Sequence, residues 1–301
     1  VDPRAVTDLR RFLDAELGGI GGLVEAAAFQ RGGHVLVTKT RLDRLVCDGL
    51  QLNPVPFEHT RASVRGILGH AVVEQDLDDA RRDPTNAVVA QVWQAEASRR
   101  PGDPASLSAW MNRQPTEDAA DLQDELTDLL DGFREVWPPL PADYVDVRTE
   151  QAIGVPLADG RVQLFGRPDL IVDSRRRDDR ARSLVVDLKT GRPRSEHDRH
   201  ELRFYALLVT LAQGHPPFRW ATYYVTEGRH ESEDYRPDVL LATARRVIDG
   251  VRQLVRLEQR DGENDDDLQL RGGGWCFMCQ READCDVAAA ARAERAVWDA
   301  E

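Results

Sequence analysis

The sequence predicts an α/β protein with a mixed central sheet flanked by helices, a mainly helical N-terminal region and a cysteine-bearing C-terminal segment. Three observations predict it. Residues 4–135 place apolar side chains at three- and four-residue spacing, the period of a helix. Beyond the stiff break VWPPLPADY at 136–144, the pattern changes to alternating or continuous apolar runs bounded by turn residues, which is how strands read. Helical spacing then returns between two of those runs, the order expected of a mixed sheet dressed with helices.

Each element follows in order. Helices are predicted over 4–16, 20–30, 60–80, 84–100 and 117–135, punctuated by Pro101, Pro104 and Pro115. Strands are predicted over 147–156, 161–173 and 183–189, with Ala158–Asp159–Gly160 as a hairpin turn between the first two. A helix over 197–213 leads to a strand over 219–226, and a long amphipathic helix spans 236–260. EQRDGENDDD at 258–267 reads as a solvated charged loop, and 286–299 as a short Ala/Arg-rich helix. The expected organisation is a helical region over 1–146, a central core over 147–260 and a C-terminal segment over 268–301 packed against the N-terminal region. No G-x-G-x-x-G follows a strand, and no Walker A sequence is present, so nucleotide-binding α/β folds are disfavoured.

The formal charge of −13 argues against a nucleic-acid partner until it is located. Residues 117–146 hold ten acids and one arginine, whereas 161–205 hold twelve basic and eight acidic residues, a local net of +4. Binding answers to the local field, so the second stretch remains open to phosphate. No run of about 18 apolar residues suggests a membrane span, and the N-terminal stretch lacks the apolar core of a secretory signal, so a cytoplasmic protein is expected.

The chemistry concentrates in GRPDLIVDSRRRDDRARSLVVDLKTGR, residues 166–192. Two apolar runs each carry an aspartate, and the second also carries Lys189, one of only two lysines in a chain with 38 arginines. On a strand Asp187 and Lys189 share a face. Adjacent strands lie about 4.8 Å apart, so Asp169 and Asp187 can grip one Mg2+ or Mn2+ ion through hard oxygen ligands. Lysine suits such a site because its ammonium is a compact charge that can orient a water or offset charge on a phosphorane-like transition state.

Arg167-Pro168-Asp169, followed eighteen residues later by Asp187-Leu188-Lys189, resembles the signature of the PD-(D/E)XK nucleases. Arg65-Gly66-Ile67-Leu68-Gly69-His70 resembles the G-x-x-x-H motif of their RecB-like branch, which implies His70 as a further metal ligand. His200-Glu201-Leu202-Arg203-Phe204-Tyr205 sits where that branch carries Q-x-x-x-Y. Tyr205 matches, but Glu201 replaces the glutamine, which leaves it open as metal ligand, DNA contact or structural group. The resemblance implies a restriction-endonuclease-like core with Asp169, Asp187, Lys189, Glu201 and Tyr205 as its active-site set. Arg175, Arg176, Arg177, Arg192 and Arg194 are candidate phosphate contacts.

The four cysteines complete the pattern. Cys276, Cys279 and Cys285 form C-x2-C-x5-C near the end of the chain, and Cys47 lies far upstream. Comb spacing favours a metal over disulfides. One upstream cysteine plus this comb is similar to the iron–sulfur staple of AddB-type and CRISPR-associated RecB-like exonucleases, which implies a 4Fe-4S cluster and a C-terminal metal-cluster segment. Structural zinc is the alternative. The expectation is a Mg2+- or Mn2+-dependent single-stranded DNA exonuclease of repair, CRISPR adaptation or phage defence, with a helicase or defence protein as partner. Its competitors are a silent nuclease-fold DNA-binding or scaffold subunit and a metal-stapled interaction protein.

Overall fold

The computed structural model describes residues 3–30, 32–78, 83–100, 102–137, 145–174, 183–191, 195–260 and 267–298. The candidate phosphate contacts Arg175, Arg176, Arg177, Arg192 and Arg194 lie outside these residues. The helices are α1 (Pro3–Gly18), α2 (Leu23–Phe29), α3 (Lys39–Arg44), α4 (Asp48–Leu52), α5 (Arg61–Asp78), α6 (Thr85–Ser98), α7 (Leu107–Asn112), α8 (Thr116–Val136), α9 (Ser195–Gln213), α10 (Pro237–Glu258) and α11 (Asp286–Trp298). The strands are β1 (Val35–Val37), β2 (Val145–Thr149), β3 (Ile153–Leu157), β4 (Val162–Gly166), β5 (Leu170–Ser174), β6 (Ser183–Lys189), β7 (Arg219–Tyr224) and β8 (Arg229–Asp234). Among the described residues no helix is long and apolar enough to cross a membrane.

The chain forms two compact units. One comprises Glu58–Ala152 and Arg167–Arg236, the other Asp2–Phe57, Ile153–Gly166 and Pro237–Glu301. The first unit is built on a five-stranded sheet of order β2-β5-β6-β7-β8. Pairings β2–β5, β5–β6 and β7–β8 are antiparallel, and β6–β7 is parallel. A parallel pair cannot be closed by a hairpin, and α9 supplies the crossover. The mixed sheet flanked by helices agrees with the fold class read from the sequence.

Helices α5, α6 and α8 pack on one another in this unit through Val64, Leu68, Val72, Val88, Leu126, Leu130 and Phe133, all of them buried. The aromatic rings of Phe133, Trp137 and Tyr223 close that core with centroids 5.4–5.9 Å apart. Helix α8 explains the acidic segment. Its apolar stripe faces inward and its acids point to solvent, apart from Glu125, which pairs with Arg61 at 2.7 Å and Arg65 at 3.2 Å. Buried Asp76 on α5 takes the Arg134 guanidinium of α8, so a charge tie accompanies the apolar contact.

The second unit holds a three-stranded sheet of order β1-β4-β3, in which β1 and β4 run parallel and the β3–β4 hairpin is antiparallel. The hairpin turn falls at Ala158–Asp159–Gly160, as expected, with φ of 50°, 54° and 82°. Helix α10 lies against α1, α2 and β1.

Two expected strands require correction. The run 147–156 divides into β2 and β3, and the run 161–173 into β4 and β5, with the members of each pair in different sheets. The first break is at Glu150, whose φ of 44° a pleated strand cannot carry. The second is at Arg167-Pro168-Asp169, where proline has no N–H for a ladder bond.

Candidate active site and thiol cage

Asp169 directly precedes β5, and β5 pairs with β6 in the register Leu170↔Val186. Continuing that register brings Asp169 opposite Asp187. The contact is tight: the Leu188 backbone N–H donates to Asp169 Oδ2. Asp169 and Asp187 are both buried. Burying carboxylates without partners is costly, and each has a cationic one. Lys189 Nζ lies 2.7 Å from Asp187 Oδ2 and 2.9 Å from Glu201 Oε2. Glu201, also buried, comes from α9. The lysine singled out in the sequence is therefore clamped between two carboxylates from different elements.

His70 approaches from α5. Its Nδ1 lies 3.4 Å from Asp169 Oδ1 and 3.9 Å from Glu150 Oε1. Burial works against the imidazolium, but Asp169, through its charge and as a hydrogen-bond acceptor, Glu150 as a further acceptor, and the charge of Asp187 raise its pKa to about 10. Burial likewise opposes ionisation of Asp169, yet His70, the Leu188 N–H and Lys189 together hold its pKa below the ordinary carboxylate value. Glu74, one turn beyond His70, accepts from the Thr149 hydroxyl at 3.1 Å, and burial first and the charge of Glu150 second push its pKa up.

His70 has its pKa raised from an ordinary value near 6.5, so its contribution to stability is fully present below pH 6.5 and is lost as pH rises through about 10. In EDTA, the stability gap between wild type and His70→Ala should narrow between pH 7 and pH 10. Thermal melts of the two proteins across that range measure it.

The sequence brings α5 close enough for this through Gly69. A Cβ there would lie 3.0 Å from Thr190 Cγ2 and 3.3 Å from Leu129 Cδ1, whereas at Gly66 the nearest atom, Thr190 Oγ1, is 3.6 Å away. Arg65 donates to the Thr190 carbonyl at 2.9 Å and fastens the helix to the end of β6. Gly69→Val should cost about 1–3 kcal/mol by overpacking, and Gly66→Ala should be tolerated. Urea unfolding of both variants separates the two glycines.

Ligand atoms of His70, Glu150 and Asp169 lie within 4.8 Å of one another. Imidazole nitrogen and carboxylate oxygen are donors that suit a hard to borderline divalent cation, so these residues fit the implied metal. Asp187 lies outside this group of three and is turned to Lys189. Tyr205 is buried on α9, its ring 6.2 Å from that of Phe204. Glu150 was not singled out in the sequence. The only signal was the polar triplet Thr149-Glu150-Gln151 interrupting an alternating run.

In the second unit all four cysteines are free thiols, Cys47 buried and the others half-buried. They line one cavity of about 260 Å3, together with Leu50 and Leu270. An antiparallel bridge between Pro54 and Cys279 and the bond from Val55 N–H to the Met278 carbonyl, 2.7 Å, join the upstream and C-terminal loops. The Gly273 N–H donates to Cys276 Sγ at 3.3 Å. Among the described residues no three thiol sulfurs lie within 4.8 Å of one another. Beside Cys47, buried Asp48 accepts from Gln253 at 2.8 Å, from Arg256 at 2.5 Å and from the Gln269 N–H at 2.7 Å. Burial resists ionisation of this carboxyl, and those donors hold its pKa below the usual value.

No curated protein matches the chain. Among solved structures, one titled "Crystal structure of SSO0001" is similar at 14% identity, covers 92% of this chain and 96% of its own, and superposes with a TM-score of 0.31, too low to carry an argument. The family model described as "PD-(D/E)XK nuclease superfamily" matches residues 44–286, which include His70, Asp169, Asp187, Lys189 and all four cysteines. The chain belongs to the PD-(D/E)XK nuclease superfamily.

Proposed function

We propose that the chain is a Mg2+- or Mn2+-dependent deoxyribonuclease of the RecB-like branch, acting on single-stranded DNA from an end. The observation that carries the reading is Lys189 held between Asp187 and Glu201 with Asp169 immediately before the adjoining strand. His70, Asp169 and Asp187 would hold the metal. A divalent cation supplies Lewis-acid polarisation of a phosphoryl oxygen and acidifies water. Lys189 does the rest of the electrostatic work. An ammonium has three N–H donors. One goes to Glu201 Oε2, and Asp187 Oδ2 lies 2.7 Å away as an ion-pair partner. A donor not given to Glu201 serves an attacking water or the oxygen on which charge grows. Glu201 acts by positioning Lys189, which gives a role to the glutamate standing where the related motif carries glutamine. Tyr205 supports α9 from within.

The four cysteines would hold a 4Fe-4S cluster that staples the upstream loop to the C-terminal segment. All four thiols line one cavity, which supports a single metal group shared among them. Iron and sulfide analysis of anaerobically purified protein, with its visible absorption, tests this. Zinc at one equivalent without iron would refute it. Time courses on DNA labelled at the 5′ or the 3′ end, single- and double-stranded, test the substrate. Mononucleotide release from one labelled end of single strands is expected, and internal cuts in closed circles would overturn the exonuclease reading.

A further inference from the structure

We propose that Glu150 is a further ligand of the catalytic cation, beyond the histidine and the two aspartates of the nuclease pattern. The inference rests on the nuclease reading of this site. Three features of Glu150 carry it.

The first is placement. Its Oε1 lies 3.9 Å from His70 Nδ1, and the ligand atoms of His70, Glu150 and Asp169 fall within 4.8 Å of one another. Two ligands on one Mg2+ or Mn2+ ion lie at most about 4.2 Å apart, given bonds of about 2.1 Å. A small side-chain rotation closes the difference. With Glu150 the donor set becomes one imidazole and three carboxylates, and Glu150 adds negative charge at a site where Asp187 is shared with Lys189.

The second is orientation. The guanidinium of Arg167 lies 3.7 Å from Glu150 Oε2, the oxygen other than the one that faces His70. Arg167 opens the R-P-D sequence, so the cation beside one Glu150 oxygen and the ligand Asp169 are two residues apart in the chain. The Glu150 backbone N–H also donates to the Asp169 carbonyl at 2.9 Å. The main chains of the two acids are locked together, as suits groups that serve one ion.

The third is backbone conformation. Glu150 takes a φ of 44°, in the left-handed region that glycine enters freely and glutamate does not. A residue with a side chain is kept there at a conformational cost. A glycine would make the same turn unstrained. What a glycine lacks is the carboxylate.

That contrast makes the test. Mn2+ affinity is measured by the free-ion EPR signal for wild type, Glu150→Gln, Glu150→Gly and Asp169→Asn, with thermal melts of each in EDTA. The expected result is at least a tenfold loss of Mn2+ affinity in both Glu150 variants, with Glu150→Gly melting no lower than Glu150→Gln. Affinity unchanged in both Glu150 variants but lost in Asp169→Asn would overturn the assignment of Glu150 and leave the nuclease site standing. Absence of Mn2+ binding by wild type would overturn both readings.

Discussion

Replacing Lys189 by alanine is expected to slow single-turnover DNA cleavage by a factor on the order of 10²–10³, the usual loss when one preorganised donor to a transition state is removed. The structure explains why the effect should be that large. Lys189 is the cation placed by two buried carboxylates at the end of β6, beside Asp169 at the entry to the adjoining strand. Its removal leaves Asp187 and Glu201 facing one another without it, so the local field reverses as well as weakens. Lys189→Arg should not restore the rate, because a planar guanidinium cannot occupy the ammonium's position with the same directions of donation. Glu201→Gln keeps an acceptor for Lys189 and should fall within about tenfold of wild type, whereas Glu201→Ala should approach the lysine variant. DNA binding measured in Ca2+ or EDTA should change far less than the rate. A parallel loss of binding and rate would make Lys189 a phosphate anchor instead.

Replacing Asp48 by alanine is expected to destabilise its unit by about 3 kcal/mol, the lower end for breaking a buried charge pair, because Arg256 keeps partial access to water. The carboxylate is fully buried and gathers donors from α10 and from the chain at Gln269. Without it the Gln269 N–H, the Gln253 amide and the Arg256 guanidinium all lose an acceptor. Asp48 also follows Cys47 directly, so the same change should loosen the thiol cage. Chemical unfolding with the metal content recorded at each step checks both consequences. Stability equal to wild type would show that water replaces the lost acceptor.

Much of this molecule was legible because its long helices advertise themselves. Helices α5, α6, α8, α9 and α10 lie within a few residues of where apolar spacing placed them, since each buries one stripe and exposes the other. Strand β8 was not legible. Its sequence, Arg-His-Glu-Ser-Glu-Asp, has no apolar alternation because it is an edge strand. Its order comes from partners elsewhere, such as Glu233 accepting from Arg203 at 2.6 and 2.8 Å and from Trp220 at 3.0 Å. Strand β1 has only three residues, too few to show a period. The breaks at Glu150 and Pro168 were hidden for a different reason. Apolar residues resume in the same phase beyond each break, as Ile153 does after Val147 and Leu170 after Leu164, and only tertiary structure sends the two halves to different sheets.

The site was legible in the same uneven way. Asp187 and Lys189 could be read because strand geometry puts them on one face, and His70 because a glycine-bearing helix resembled a known motif. The pairing of Lys189 with Glu201 needed the fold, since the two are joined only when α9 lies back on β6. Glu150 sits in a turn whose left-handed backbone gives no sign in a glutamate. Asp48 looked like an ordinary acid beside a cysteine until its partners from α10 and Gln269 were in place.

Asp169, Asp187 and Lys189 are proposed to form a metal-dependent phosphodiesterase centre. Its most direct test is cleavage of end-labelled DNA by anaerobically purified protein in Mg2+, in Mn2+ and in EDTA, with Asp187→Asn beside the wild type. Cleavage is expected in Mg2+ or Mn2+, with none in EDTA and none by the variant in any condition. Cleavage that survives EDTA or the loss of Asp187, or no cleavage by folded, DNA-binding wild type in either metal, would contradict it.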